Sequence, residues 1–350
     1  MKLRILYLSL ALLILGCIEK MTLPTAINSN TEFAAGDTTY LIVNPVWDET
    51  YGFVAPIEIS IAPDGHIFVA DSAANCIFVL DQSGNVLSGY GDLNNLVIVD
   101  DAAISPIDVD VDQKMNVYFI DGSDRIYRWN HYWNNVGVES FAAAAVFSNT
   151  ETGDTIRLDH QDPQWFELLN HPEWIMTSIE WSNEQTMIDS ILGPHVFFEG
   201  SWARNTFADL YYESENNSFS GIAATLDSDN YIYAQDYHHN RIIKILLERS
   251  QYIQLSNGEL VWVHSGTFGQ TVTAEGTGAG TVNNPLGIDV DYAGNLYYSQ
   301  GGDFFAVHKV RPVVTGAYTV YQSVFQEGTN EIMDLFRFGA PADVAVDLNQ

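Results

Sequence analysis

A phrase of roughly twenty-five residues recurs along this 350-residue chain and starts once more just before the last residue. The first copy runs from Pro56 as PIEISIAPDGHIFVADSAANCIFVLD, and the second from Pro106 as PIDVDVDQKMNVYFIDGSDRIYRWN. The third runs from Gly221 as GIAATLDSDNYIYAQDYHHNRIIKI, and the fourth from Pro285 as PLGIDVDYAGNLYYSQGGDFFAVHKV. At Pro341 the phrase opens again as PADVAVDLNQ. Such self-similarity constrains the fold more than any single residue, because each copy is one unit that needs its neighbours to cover its apolar faces.

The copies share an internal grammar. An alternating run, such as Ile57-Ile59-Ile61 or Ile107-Val109-Val111, has the period of a strand. A turn of Pro, Asp, Gly, Asn or Ser residues follows, as at Pro63-Asp64-Gly65 or Ala293-Gly294-Asn295. A second strand comes next (IFVA, VYFI, YIYA, LYYS), then a second turn, then a third strand (IFVLD, IYRWN, IIKIL, FAVHK). Three strands and a more variable fourth make a four-stranded antiparallel sheet. Radial repetition of such sheets predicts an all-β chain folded as a β-propeller.

The phrase resembles that of the NHL-repeat family. Phe68-Val69-Ala70-Asp71, Asn240-Arg241-Ile242 and Pro285-Leu286-Gly287-Ile288-Asp289-Val290-Asp291 carry the likeness, together with the glycine-rich approach Gly276 to Gly280. It covers about 50–130 and 215–350 of the chain. Copy one departs from it with Cys76 where Arg125 and Arg241 stand, and copy four with Gln300 for the aspartate and Phe305 for the arginine.

The spacing of the copies bounds the blade count. The steps between entry points are 50, 115, 64 and 56 residues, so residues 131–220 hold either a diverged blade, the preferred reading, or a large insertion. With a diverged blade there, the chain has about five blades and one strand of a sixth, a ring of six when complete. Thr39 to Val46 would serve as a closing outer strand. The fifth start breaks off after one strand, so the expectation for 39–350 is a propeller cut short at its C-terminal end.

The N-terminus reads separately. Lys2 and Arg4 precede an apolar run from Leu6 to Leu15 that is too short for a stable membrane span. The run ends in Ile14-Leu15-Gly16-Cys17, which resembles the bacterial lipoprotein lipobox. That resemblance implies removal of 1–16, acylation of Cys17, and attachment to the cell envelope by several acyl chains, one chain alone being a marginal anchor. Ile18 in place of an aspartate favours the outer membrane if the host has two membranes. Residues 17–38 read as a flexible tether. With Cys17 acylated, Cys76 is left without a partner for an intramolecular disulfide, and a buried inert thiol is expected.

The net charge of −31, with 45 acidic and 14 basic residues, repels nucleic acid and anionic headgroups. The acids are interspersed, as on a globular surface.

In a propeller, the second turns and the blade entries gather on one face. That places Trp47, Tyr51, Asp101, Asp124, His238, His239 and Asp303 as candidate ligand-face residues. Asp121/Arg125 and Asp236/Arg241 flank second turns and read as structural charge pairs. The alternating acids Asp108-Val109-Asp110 and Asp289-Val290-Asp291 read as strand residues lining the channel or its rim. Asp110, Asp291, Asp227 and Asp229 are the weak candidates for Ca²⁺, since none sits in an EF-hand loop. His238-His239 is the weak candidate for Zn²⁺, which needs three convergent ligands. The chain carries no Gly-x-Ser-x-Gly elbow, phosphate loop or His-Glu-x-x-His helix.

These observations favour a lipid-anchored envelope propeller that binds a protein, peptide or glycan on its turn-rich face, without nucleic acid and without catalysis. The alternative is a propeller enzyme, a lactonase-type hydrolase or a peptide-amidating-type lyase, with a metal at the channel mouth.

Overall fold

The computed structural model describes residues 47–96, 103–131, 139–160, 162–184, 188, 193–200, 217–225, 231–258, 260–273, 275–276, 278–301, 306–316, 318–324 and 341–346. Cys17, Thr39 to Val46, Asp101, Asp227, Asp229 and Asp303 lie outside these residues.

Each copy of the phrase forms one antiparallel sheet. Blade one consists of β1 (Pro56–Ile61), β2 (Ile67–Asp71) and β3 (Cys76–Leu80). Blade two begins with β4 (Asp108–Val111), β5 (Asn116–Ile120) and β6 (Arg125–Asn130). Between β6 and the outer strand of that blade, the chain makes a separate sheet from β7 (Phe141–Asn149), β8 (Thr155–Asp159) and β9 (Trp174–Ser182), in the order β8-β7-β9, with helix α1 (Pro163–Leu169). Strand β10 (His195–Glu199) then returns to pair with β6, so that blade two reads β10-β6-β5-β4. Blade three is β11 (Phe219–Ala224), β12 (Tyr231–Asp236), β13 (Arg241–Gln254) and β14 (Leu260–Thr273). Blade four is β15 (Pro285–Val290), β16 (Leu296–Gln300), β17 (Ala306–Thr315) and β18 (Tyr318–Ser323). The chain is a β-propeller.

The segment 131–220 thus contains an insertion within blade two. Its sheet has its own core of Ala142, Ala145, Phe147, Leu158 and Trp165. Helix α1 starts where the sequence favours a start: Asp162 caps it through the Gln164 N–H at 2.9 Å, and Pro163 occupies its first turn.

The remaining cores lie between blades. Phe68, Ala70, Ile77 and Val79 of blade one meet Val109, Val111, Val117 and Phe119 of blade two. Tyr118, Ile120 and Ile126 meet Ile222, Ala224, Ile232 and Ile243 across the next interface, and Ala223 and Tyr233 meet Ile288, Val290 and Tyr298 across the third. Alternation along each strand supplies one apolar row to each neighbour.

The repeat's signature residues join segments. Asp71 is fully buried and accepts from the Val54, Ala55 and Ala74 N–H groups at 2.7–2.9 Å. Asp236 accepts from the Ser218 N–H at 3.2 Å, and Gln300 Oε1 from the Asn283 N–H at 3.1 Å. Each thereby ties the entry of its own inner strand to its second turn. The task requires only an acceptor oxygen, which is why glutamine replaces aspartate in copy four. The turn asparagines Asn75 and Asn240 sit at φ of 51° and 47°, a left-handed conformation that asparagine tolerates. Their side chains accept from the next blade, Asn75 from Ser105 Oγ at 2.7 Å and Asn240 from the Asn284 N–H at 2.8 Å.

Candidate functional site

The inner strands β1, β4, β11 and β15 surround a cavity of 450 Å³ together with residues 343–346. Alternation places two acidic positions of the phrase beside it. The first is Glu58 in copy one, Asp108 in copy two and Asp343 in the fifth start. The second is Asp110 in copy two and Asp289 in copy four. All five carboxyl groups line the cavity, with Ile59, Val109, Ile222 and Ile288 among its apolar walls. Asp108 pairs with Ile120, the last residue before the 121–124 turn, so the first position lies toward the turn-rich face.

Most of these carboxylates are held by backbone donors of the following inner strand. Asp108 Oδ2 accepts from the Ile222 N–H at 2.8 Å, and Asp110 Oδ2 from the Ala224 N–H at 2.6 Å. Asp289 Oδ2 accepts from the Val346 N–H at 2.5 Å. Asp110 Oδ1 also accepts from Ser60 Oγ at 2.9 Å. Glu58 and Asp343 hydrogen-bond each other across the seam between blade one and residues 341–346. Gly287 makes room for that seam: a Cβ there would stand 1.9 Å from Asp343 Oδ1.

Burial raises all of these acids above the ordinary carboxylate range, and repulsion between neighbouring carboxylates adds to it for Glu58, Asp108, Asp110 and Asp289. Burial, and then the Asp343 charge, raise Glu58 to about 7. Burial, and then Asp289, raise Asp110 to about 7, and burial raises Asp289 to about 6. Asp108 is raised well above its usual value by burial and by Glu58, and Asp343 is raised by burial. The cavity therefore holds a group of carboxyls that keep their protons above the usual carboxylate range, Glu58 and Asp110 up to about 7 and Asp289 up to about 6.

The other candidate residues are dispersed. Asp124, His238 and His239 lie in second turns, on the turn-rich face. His239 Nδ1 stands 2.6 Å from Asp236 Oδ2, and its ring centroid is 5.0 Å from that of His238. Trp47 lies toward the opposite face: a Cβ on Gly84 would meet its indole nitrogen at 2.3 Å, and the 81–85 turn neighbours the first turn of blade one. Tyr51 stacks on Phe53 with centroids 6.2 Å apart, and Phe53 packs on Phe78 at 4.6 Å, along the side of blade one. Asp291 caps its own turn instead of facing the cavity. Burial raises it, but bonds from the Asn295 side chain and N–H, at 2.8 Å each, outweigh that and hold it low. The pair Asp236/Arg241 is present, with Arg241 Nε 2.9 Å from Asp236 Oδ2. The pair Asp121/Arg125 is not. Asp121 accepts from Ser123 Oγ and from Tyr127 Oη at 3.0 Å, while Arg125 reaches Glu199 on β10 at 3.3 Å. Strand β10, delivered by the insertion, brings that competing carboxylate. Cys76 is buried, and burial with the Asp71 charge pushes its thiol up to about 11.

Among the described residues no three His, Cys, Asp or Glu side chains converge as ligands, and three of the five axial acids point an oxygen at backbone N–H groups.

Glu58 and Asp343 escaped the reading of single residues. The signal that finds them is the repeat itself: both occupy the third place of their copies, where Asp108 stands in copy two.

No family model matches the chain, and no curated protein matches it. Among solved structures, the chain is similar to a catalytically inactive virginiamycin B lyase from Staphylococcus aureus with quinupristin, at 11% identity and a TM-score of 0.33. That match covers 79% of this chain and 57% of the lyase, so the chain spans little more than half of its length. It is also similar to a gluconolactonase from Xanthomonas campestris, at 11% identity and a TM-score of 0.28, covering 77% of this chain and 76% of that one. A third is the calcium-binding protein regucalcin from Agrobacterium tumefaciens, at 9% identity and a TM-score of 0.28, covering 81% and 87%. Likeness at this level carries no statement about what this chain binds or converts.

Proposed function

We propose that this chain is a lipid-anchored envelope propeller that binds a protein or peptide ligand through a basic group seated at the axial cavity. One observation carries the reading: five carboxyl groups from four inner segments line one 450 Å³ cavity, in a chain of net charge −31. A low-polarity cavity lined by one sign of charge concentrates field on a ligand of the opposite sign. A cavity of this size holds a side chain or a short peptide end.

The binding is linked to pH. Above about 7 Glu58, Asp110 and Asp289 ionise and attract a cation, and in acid they are neutral. Calorimetric titration of the purified full-length protein with tetralysine tests this. Expected are saturable binding at pH 8, loss of at least tenfold in affinity at pH 5, and a similar loss in Glu58→Gln. Equal binding of tetraglutamate, or binding unchanged in Glu58→Gln, overturns it. The anchor is tested separately: Cys17→Ser should move the protein from the membrane to the soluble fraction.

The hydrogen-bonded pair of Glu58 and Asp343 favours one second reading, a lactonase-type hydrolase. A carboxyl ionising near 7 is matched to general acid–base work. One carboxylate would take a proton from water as its oxygen attacks the lactone carbonyl, and the neutral partner would protonate the departing ring oxygen. Turnover of gluconolactone by the wild-type protein, abolished in Glu58→Gln, would establish this reading in place of simple binding.

A further inference from the structure

Three polar side chains lie in line across blade two, on the face that packs against blade three. Tyr118 of β5 stands opposite Arg128 of β6, and Arg128 stands opposite His195 of β10. Directly opposed residues share a face and bring their side chains within about 5 Å of each other. Tyr118 is fully buried and Arg128 is 6% exposed. The Arg128 charge is felt at both neighbours. At the Tyr118 hydroxyl it opposes the upward push of burial, and at His195 it adds to burial in lowering the ring to about 4.

Among the described residues this row has donors and no acceptor to match them. Tyr118 Oη, Arg128 Nε and His195 Nε2 are buried without a hydrogen-bond partner. Arg125, Arg157 and Arg241 each reach a carboxylate. Arg128 instead donates from Nη2 to the neutral amide oxygen of Asn116 at 2.5 Å. The carboxylate behind that amide, Asp112, is spent on its own turn. It accepts from the Lys114 and Asn116 N–H groups and from Asn116 Nδ2 at 2.6–2.9 Å. A buried guanidinium is costly unless an anion joins it, and unsatisfied buried donors around a cation point to that anion.

We propose that the Tyr118–Arg128–His195 row is a binding site for one small monovalent anion, chloride or a halide of similar size, held between blades two and three. One guanidinium balances one negative charge. The seat is narrow and otherwise apolar, the Phe197 ring standing edge-on to Tyr118 with centroids 5.4 Å apart. The net charge of −31 works against an anion on the outer surface, so the binding rests on these buried donors. The ion would fasten β10, which returns to β6 only after the inserted sheet, to the rest of its blade. His195 Nδ1 donates to the Gly193 carbonyl at 3.3 Å, so Nε2 carries a hydrogen only when the ring is protonated. The charge facing the ring is that of Arg128, and β14 presents the His264 carbonyl to it. An anion offsets the Arg128 charge and lets the ring take up a proton, so anion binding tightens as pH falls.

The test is the melting temperature of the purified full-length protein as sodium chloride or bromide replaces sodium methanesulfonate at constant ionic strength. Expected is a saturable rise of about 3 °C or more with either halide, half-saturating at a lower concentration at pH 5 than at pH 8. Arg128→Met should abolish the halide dependence, and Tyr118→Phe should raise the half-saturating concentration at least fivefold. Should Arg128→Met fail to fold, Tyr118→Phe, which removes a single oxygen, carries the comparison. Hydrogen exchange of the β10 amides should slow when chloride is added. A melting temperature that is the same in chloride and methanesulfonate overturns the proposal, as does a halide effect left unchanged by Tyr118→Phe. Equal half-saturation at the two pH values removes His195 from the site. Crystals grown in bromide locate the ion directly: an anomalous peak beside Arg128 Nε supports the site, and bromide found only on the outer surface overturns it.

Discussion

At the scale of single residues, position in the repeat decides whether an acid is structural or chemical. Asp236 is fully buried, bonded to Arg241 and to the Ser218 N–H. Asp236→Ala should cost about 2–4 kcal/mol in urea denaturation, because it removes the carboxylate partner of the part-buried Arg241 guanidinium and of a backbone donor. Asp121→Ala should cost about 1 kcal/mol, since Asp121 is half-buried and faces hydroxyls and an N–H. The axial acids predict a pH effect of opposite sign to that of ordinary ion pairs. Their folded values, about 7 for Glu58 and Asp110 and about 6 for Asp289, lie above those of an unfolded chain, near ~4. The folded state therefore binds more protons, and the stability they contribute is fully present below about pH 4 and is lost as pH rises toward about 7. Melting temperatures recorded from pH 4.5 to 8 should fall with pH, and Glu58→Gln should flatten the curve. A curve that rises across this range would contradict the raised values.

At the scale of elements, the strands were legible and some of their partners were not. The alternation, turns and period of the phrase locate the first three strands of every blade, because each is a local pattern. The outer strand of blade two was hidden: β6 and β10 are separated by the inserted sheet, and sequence spacing alone could not distinguish an insertion from a diverged blade. The same separation concealed the partner of Arg125, since Glu199 lies 74 residues away. The length of β13 and β14 also went unread, because their outer halves pair with each other beyond the repeat. Strand β10 contributes the buried Phe197 and Phe198 to the core between blades two and three. Phe198→Ala should cost about 3–5 kcal/mol, whereas Ile175→Ala on the exposed side of β9 should change stability by less than about 0.5 kcal/mol, both read by chemical denaturation.

At the scale of the whole molecule, the inner strands follow one another around the axis and residues 341–346 meet both blade four and blade one. The axial site was partly legible: the alternating acids signalled a channel, but only superposing the copies brings Glu58 and Asp343 to the same place as Asp108. The seam depends on one glycine. Gly287→Ala sets a Cβ 2.6 Å from the Asp343 Cα, closer than real contacts allow. It should destabilise the protein by about 1–3 kcal/mol and expose the Val346 amide to hydrogen exchange. An amide equally protected in wild type and variant would show that the seam does not rely on that close approach.

The bonds between inner strands share a direction. Ser60 reaches forward to blade two, Asp108 and Asp110 reach forward to blade three, and Asp289 reaches forward to the 341–346 segment. On the turn face, Asn75 and Asn240 likewise accept from the blade that follows. Each blade thus holds its successor, as links in a one-way chain do. Removing a forward-reaching carboxylate should therefore loosen first the segment that follows it: Asp108→Ala the seam to blade three, and Asp289→Ala the seam to residues 341–346.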